Sequence, residues 1–148
     1  MKPSHLAACA LLALPALAFA SLGGSVDTVQ SDQVKMKATL RSAKSATNYT
    51  VHEMQLDSGT TVREYVDANG VVFGVAWKGP VKPDMQQVLG QYFSALSDKA
   101  AIKYSNHTQM HVQKDALVIH SSGHMRAFTG QAYLSTALPQ GVSASDIQ

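Results

Sequence analysis

Residues 60–78 read Thr60-Thr61-Val62-Arg63-Glu64-Tyr65-Val66-Asp67-Ala68-Asn69-Gly70-Val71-Val72-Phe73-Gly74-Val75-Ala76-Trp77-Lys78. β-Branched and aromatic residues crowd both arms of this stretch. Asn69-Gly70 lies between them, where Asn and Gly accept the positive φ of a tight turn. The pattern predicts antiparallel strands over 60–67 and 71–78, joined as a hairpin. A two-residue turn sets Glu64 against Val75, in a row with Phe73 and Trp77. A three-residue loop with Gly70 left-handed sets Tyr65 against Phe73 and Arg63 against Val75. The second register is preferred, because Arg63 can bury its stem and keep its charge wet while Glu64 has less reach.

Upstream, 49–56 reads as another strand that ends at the turn Asp57-Ser58-Gly59. Downstream, Gly79-Pro80-Val81-Lys82-Pro83 breaks the sheet and a helix follows. Asp84 can accept from its first-turn amides, and Gln87 completes a capping box. Met85, Val88, Leu89, Tyr92, Phe93 and Leu96 then form one apolar face, with Phe93 in mid-stripe and Gly90 on the far side. A first helix is expected over 25–40, capped by Ser25, with a thin stripe of Val26, Val29, Gln33, Met36 and Leu40. Three more strands are expected at 107–113, 116–122 and 124–134, with Gly130 marking a bulge. From Leu138 the tail reads as irregular. The order is helix, three strands, helix, three strands. It predicts an α+β fold with an antiparallel sheet of about six strands in hairpins and two helices, and suggests an αβββ pseudo-repeat. Neither a parallel βαβ alternation nor a phosphate-cradling glycine loop is present.

The N-terminus reads as a secretory signal peptide. Lys2 is a basic start, an uncharged run follows from Leu6 to Phe19, and Ala18-Phe19-Ala20 offers small residues to a signal peptidase. The run falls short of the about 18–20 apolar residues of a membrane anchor. Leu6-Ala7-Ala8-Cys9 has the form of a lipoprotein box. The apolar region follows it, however, where a lipoprotein needs that region first. The expected division is therefore a signal peptide over 1–20, cleaved after Ala20, and one α+β domain over 21–148.

Cys9, the one cysteine, leaves with the signal, so stability must come from a core without disulfides. With Lys2 removed, eleven basic residues face ten acidic ones, which argues against a nucleic-acid surface or a polybasic membrane surface. Asn48-Tyr49-Thr50 and Asn106-His107-Thr108 match a glycosylation sequon by chance in a chain that otherwise reads as bacterial.

Four stretches are Tyr49-Thr50-Val51-His52-Glu53, Arg63-Glu64-Tyr65-Val66, Val72-Phe73-Gly74-Val75-Ala76-Trp77-Lys78-Gly79-Pro80 and Gly123-His124-Met125-Arg126-Ala127-Phe128. On these the chain resembles a family of uncharacterised exported proteobacterial proteins, domain of unknown function 2844. The resemblance covers nearly all of 21–148, including Leu138-Pro139-Gln140-Gly141-Val142. It implies export from a proteobacterium and no activity, so no catalytic residue is carried over.

The residues themselves offer one constellation. If Lys114-Asp115 is a two-residue turn, Gln113 faces Ala116, His111 faces Val118 and Gln109 faces His120. Met110, Val112, Leu117 and Ile119 then point to the core, and His107, His111 and His120 share the polar face. His120 lies diagonal to the other two, about 7–8 Å away, a span two imidazoles can close around Zn²⁺ or Cu²⁺. The plainer reading is three solvated side chains. There is no HExxH helix, no thiolate, and no carboxylate nearby except Asp115. Ser121-Ser122-Gly123-His124 lacks the geometry of a serine nucleophile with its base. Glu53, Glu64, His52 and His124 read as surface or structural groups, and Trp77 as a core anchor.

With no assembled acid, base and nucleophile, the expected function is non-catalytic binding of another exported protein or an envelope component, in the periplasm or outside the cell. A Zn²⁺- or Cu²⁺-binding protein is the alternative. No other cofactor and no nucleic acid are expected, nor any membrane span after signal cleavage. The exported protein should begin at Ser21 and be soluble. Intact-mass spectrometry checks this, and retention of residues 1–20 or a lipid on Cys9 counts against it.

Overall fold

In the computed structural model, which describes residues 22–106 and 108–148, the hairpin around Asn69-Gly70 belongs to an antiparallel sheet of eight strands. The first four are β1 (Thr39–Ser45), β2 (Tyr49–Gln55), β3 (Thr61–Asp67) and β4 (Val72–Gly79). The second four are β5 (Ile102–Asn106), β6 (Gln109–Lys114), β7 (Leu117–His124) and β8 (Ala127–Leu134). Helix α1 (Asp27–Lys35) precedes the first set; α2 (Met85–Leu89), prolonged by a 3-10 helix over Gly90–Ser97, precedes the second. The strands lie in the order β1-β2-β3-β4-β8-β7-β6-β5. Each half is thus a helix followed by a four-stranded meander, and the halves join where β4 pairs with β8. The α+β class, the antiparallel sheet and the two helices are as expected. The sheet has eight strands rather than about six, and the unit of each half is αββββ rather than αβββ.

The two unexpected strands are the two edges. The first helix stops at Lys35, Lys37 takes φ 50°, and Thr39–Ser45 pairs with β2 instead of continuing the helix to residue 40. An edge strand has one neighbour to satisfy and often one wet face, so Thr39-Leu40-Arg41-Ser42 and Ile102-Lys103-Tyr104 carry little period-two signal.

At the hairpin, elements of both expected registers occur in succession. Beside the turn, Gly70 is left-handed at φ 78° and Val66 lies opposite Val72, as the three-residue loop requires. The register then shifts, and Tyr65 meets Gly74, leaving Phe73 as the extra residue of a bulge. From there Glu64 faces Val75 and Val62 faces Trp77. The preferred placement of Arg63 against Val75 is corrected: Glu64 turns into the core and Arg63 to the other face. Glu64 finds an acid partner there, which the hairpin alone could not reveal.

The helices and Leu22 cover one face of the sheet, with Met54, Val62, Val75, Trp77, Ile119 and Ala132 beneath them. Tyr65, Phe73 and Ala76 occupy the opposite face, under Ile147, Leu138 and Val142. The tail is therefore packed rather than merely irregular. Ser143 caps a 3-10 turn over Ala144–Asp146, and Ile147 is buried against Gly74, where any side chain would collide with it. Gly130 makes no bulge: it faces Trp77 and Ser121 in unbroken register. A Cβ there would run into the Trp77 indole, so the glycine is the seat of that ring. Among the described residues no helix is long and apolar enough to cross a membrane.

The second helix departs from its expected stripe. The Asp84 carboxylate accepts from the amides of Gln86 and Gln87, but the Gln87 side chain turns to Asp32 rather than closing a capping box. Gly90 adopts φ 52° and ψ −121°, and the chain tightens into the 3-10 helix. The tighter winding, about 3.0 residues per turn against 3.6, shifts the stripe out of phase. Met85, Val88, Leu89 and Ala95 are buried, while Phe93 is 37% exposed rather than a core centre.

Leu89→Ala should therefore cost about 2–5 kcal/mol, and Phe93→Ala no more than about 1 kcal/mol. Gly90→Ala forces an L side chain into a backbone region that disfavours it, and should cost about 1–3 kcal/mol. Urea melts of the three variants check the ranking. A Phe93→Ala loss equal to that of Leu89→Ala would mean the helix runs through Gly90.

Candidate functional site

β6 and β7 are joined through Asp115 and Ala116, with Asp115 left-handed at φ 51° and Lys114 opposite Leu117. Asp tolerates that conformation better than most residues. The turn lies one residue beyond Lys114-Asp115, so the pairing moves by two and the faces are preserved. Val112, Leu117 and Ile119 point to the helix-side core, as expected. His111 now lies directly opposite His120 rather than diagonal to it.

The two imidazoles touch. His111 Nδ1 is 3.1 Å from His120 Nδ1, with ring centroids 4.2 Å apart and planes at 64°. At that distance one nitrogen donates and the other accepts, so two imidazolium ions do not fit. Burial, and secondarily the charge of His111, lower the His120 pKa from its ordinary value. His107, the third residue of the expected set, lies outside the described residues. Among the described residues, no group of three or more His, Cys, Asp or Glu is placed to hold a metal ion.

The histidine pair belongs to a row that crosses the sheet. From β5 to β1 it runs Lys103, His111, His120, Gln131, Ala76, Arg63, Glu53 and Ser42. Beside its middle lies a groove of about 460 Å³, lined by Arg63, Lys78, Gln109, His111, His120, Ser122, Thr129, Gln131 and Gln148 among others. Arg63 is held from two sides: Nε donates to Glu53 Oε2 at 2.8 Å and Nη1 to the Gln148 carbonyl oxygen at 2.8 Å. The Tyr65 hydroxyl donates to the same oxygen at 2.9 Å. Lys78 is exposed at the opposite margin. The groove thus offers amides, hydroxyls, imidazoles and two cations on a braced sheet, a set suited to hydrogen-bonding a polar partner.

The remaining candidates separate. Glu53 pairs with Arg63 on the tail face, whereas Glu64 is buried on the helix face opposite His52. Burial lowers the His52 pKa. Ser122 faces Gln109 and Thr129, and His124 faces Ala127 at the next turn, so the two do not form a relay. Trp77 is a core anchor, as expected. Sequence reading missed Arg63, Lys78, Thr129 and Gln131 as neighbours of the histidines. They stand on β3, β4 and β8, and only the β4–β8 junction brings them there, so no local spacing announces them.

Residues 18–147 match the family model described as Protein of unknown function (DUF2844). The chain belongs to this family. No curated protein and no solved structure matches the chain. The DUF2844 match spans both meanders and nearly all of the tail, and of the groove residues only Gln148 falls beyond it.

In an NMR titration, His120 of this DUF2844 chain should protonate below the ordinary histidine range. His111→Ala should raise its midpoint by removing the like charge, though burial keeps it below ordinary. With its folded pKa lowered, His120 contributes stability that is present above about pH 6.5 and is lost as pH falls. A His120 midpoint that His111→Ala leaves unmoved would separate the rings in solution.

Proposed function

We propose that this DUF2844 chain is an exported, non-catalytic binding module that holds another exported protein or a component of the cell envelope in the groove beside His111 and His120. The groove is the observation that carries the reading. Five adjacent strands, β3, β4, β8, β7 and β6, each contribute a hydrogen-bonding side chain: Arg63, Lys78, Gln131, His120 and His111. A rigid sheet with convergent polar groups is the usual platform for recognition. Among the described residues around it no nucleophile is hydrogen-bonded to a base, the arrangement covalent catalysis uses. The leader-like residues 1–20 support export to the periplasm or beyond. The near balance of basic and acidic residues favours a partner other than nucleic acid.

A second reading, a Zn²⁺- or Cu²⁺-binding protein, is favoured by the spacing of the ring nitrogens. Two imidazoles bound to a tetrahedral ion stand about 3.3 Å apart, from metal–nitrogen bonds of about 2.05 Å. The Nδ1 atoms of His111 and His120 are 3.1 Å apart. The proposal is that this pair holds the ion, with His107 as a third ligand.

A photo-crosslinking residue at Gln131, inside the groove, should give one dominant adduct in the exported fraction, whereas one at Gln30, exposed on α1, should give none. Equal adducts from both, or none from Gln131, would sink the binding reading. Calorimetric titration of tag-free protein tests the metal. Affinity tighter than about 0.1 mM (about 5.5 kcal/mol), lost in His120→Ala, supports it; equal affinity in both proteins rejects it.

A further inference from the structure

Asp32 and Glu64 meet in the interior, each 1% exposed. Glu64 stands on the helix face of β3 with His52 of β2 and Val75 of β4 on either side. Asp32 reaches it from the C-terminal half of α1. A hydrogen bond joins the two side chains. It requires a proton, because two carboxylates together offer only acceptors. Gln87 of α2 donates to Asp32, and Lys35 of α1 places positive charge near it. Both favour the negative charge on Asp32, so Glu64 carries the proton and donates it. His52 is held toward its neutral form by burial and supplies no cation to Glu64. Asp32 Oδ2 and Glu64 Oε2 have no hydrogen-bond partner among the described residues.

The two ends of α1 are held differently. The segment leading into it is tied by backbone bonds to the β3–β4 hairpin: Gly23 N to Val72 O at 2.8 Å, and Val26 N to Gly70 O at 2.7 Å. Among the described side chains of α1, Val29 and Asp32 are buried, while Val34 is 78% exposed. Beyond Val29, the acid contact seats the C-terminal half on the sheet together with the half-buried Met36 and Ala38 that follow it.

We propose that Asp32 and Glu64 form a proton-held clasp: their shared proton fastens α1 to the sheet, and its loss frees the C-terminal half of α1 and wets the helix face of β2 and β3. Burial pushes both carboxyls up, Glu64 to about 8 and Asp32 to about 7, and the Asp32 charge adds to the rise at Glu64. With α1 open, both return to the ordinary carboxylate range near about 4. The closed form therefore binds more protons than the open form from about pH 4 to about pH 8. Its advantage is complete at the acid end and is lost as pH rises through the upper end.

Hydrogen exchange of the full chain between pH 6 and 9, corrected for intrinsic base catalysis, reads the clasp. Protection of the amides of Val29–Met36 should fall by about tenfold or more per pH unit up to about pH 8, at least one proton's worth, and level off above it, while β7 and β8 stay protected. Glu64→Gln keeps a donor to Asp32 without a titrating proton and should flatten that slope. Flat protection of α1 in the unaltered protein, or parallel loss in α1 and β8, would overturn the clasp, as would an unchanged slope in Glu64→Gln. Should that variant fail to fold, carboxyl ¹³C titration of Glu64 in the unaltered protein decides. A midpoint above neutrality supports the clasp, and an ordinary one near about 4 overturns it.

Discussion

Where β4 pairs with β8, Trp77 faces Gly130, and the indole fills the space a side chain at 130 would take. Two four-stranded meanders, each with a helix before it, become one eight-stranded sheet through that contact. An open four-stranded meander has one apolar face and two bare edges, and a single helix covers little of it. Joining the halves removes one edge from each and lets both helices lie over a shared core running from Met54 to Ile119. The groove depends on the same junction, since Arg63 and Lys78 come from the first meander and Gln131, His120 and His111 from the second.

The bulge at Phe73 has comparable reach. By consuming one residue it places Phe73 and Tyr65 under the tail and sends Val62, Glu64 and Val66 toward the helices. A strand register can slip by one only by exchanging its faces. Here the exchange decides whether Arg63 or Glu64 meets the interior. Arg63 finds Glu53 and the Gln148 carbonyl on the tail face, and Glu64 finds Asp32 beneath α1. The groove's main cation and the buried acid pair are therefore two results of one backbone irregularity.

Legibility followed the physical range of each signal. Strands β2, β3 and β4 and the Asp84 cap were readable because alternation, turn chemistry and capping act within a few residues. The shared face of His111 and His120 was readable for the same reason, as a period of two survives a turn displaced by one residue. Their direct opposition was not, because it rests on Asp115 taking the left-handed position. The stripe from Met85 to Leu96 misled because the pattern is helical on paper, and the conformation of Gly90 changes the winding midway. The edge strands β1 and β5 went unseen because one-sided pairing leaves a weak pattern.

From the chain alone came the α+β class, an antiparallel hairpin sheet with two helices, the core role of Trp77, and the shared polar face of His111 and His120. Each follows from contacts between residues close in sequence, which propensity and periodicity encode directly. Tertiary structure alone decided the pairing of β4 with β8, the burial of Glu64 against Asp32, and the assembly of Arg63, Lys78 and Gln131 beside the histidine pair. Those contacts join segments tens of residues apart. Their energy lies in shape and in excluded water, and no spacing along the chain records it.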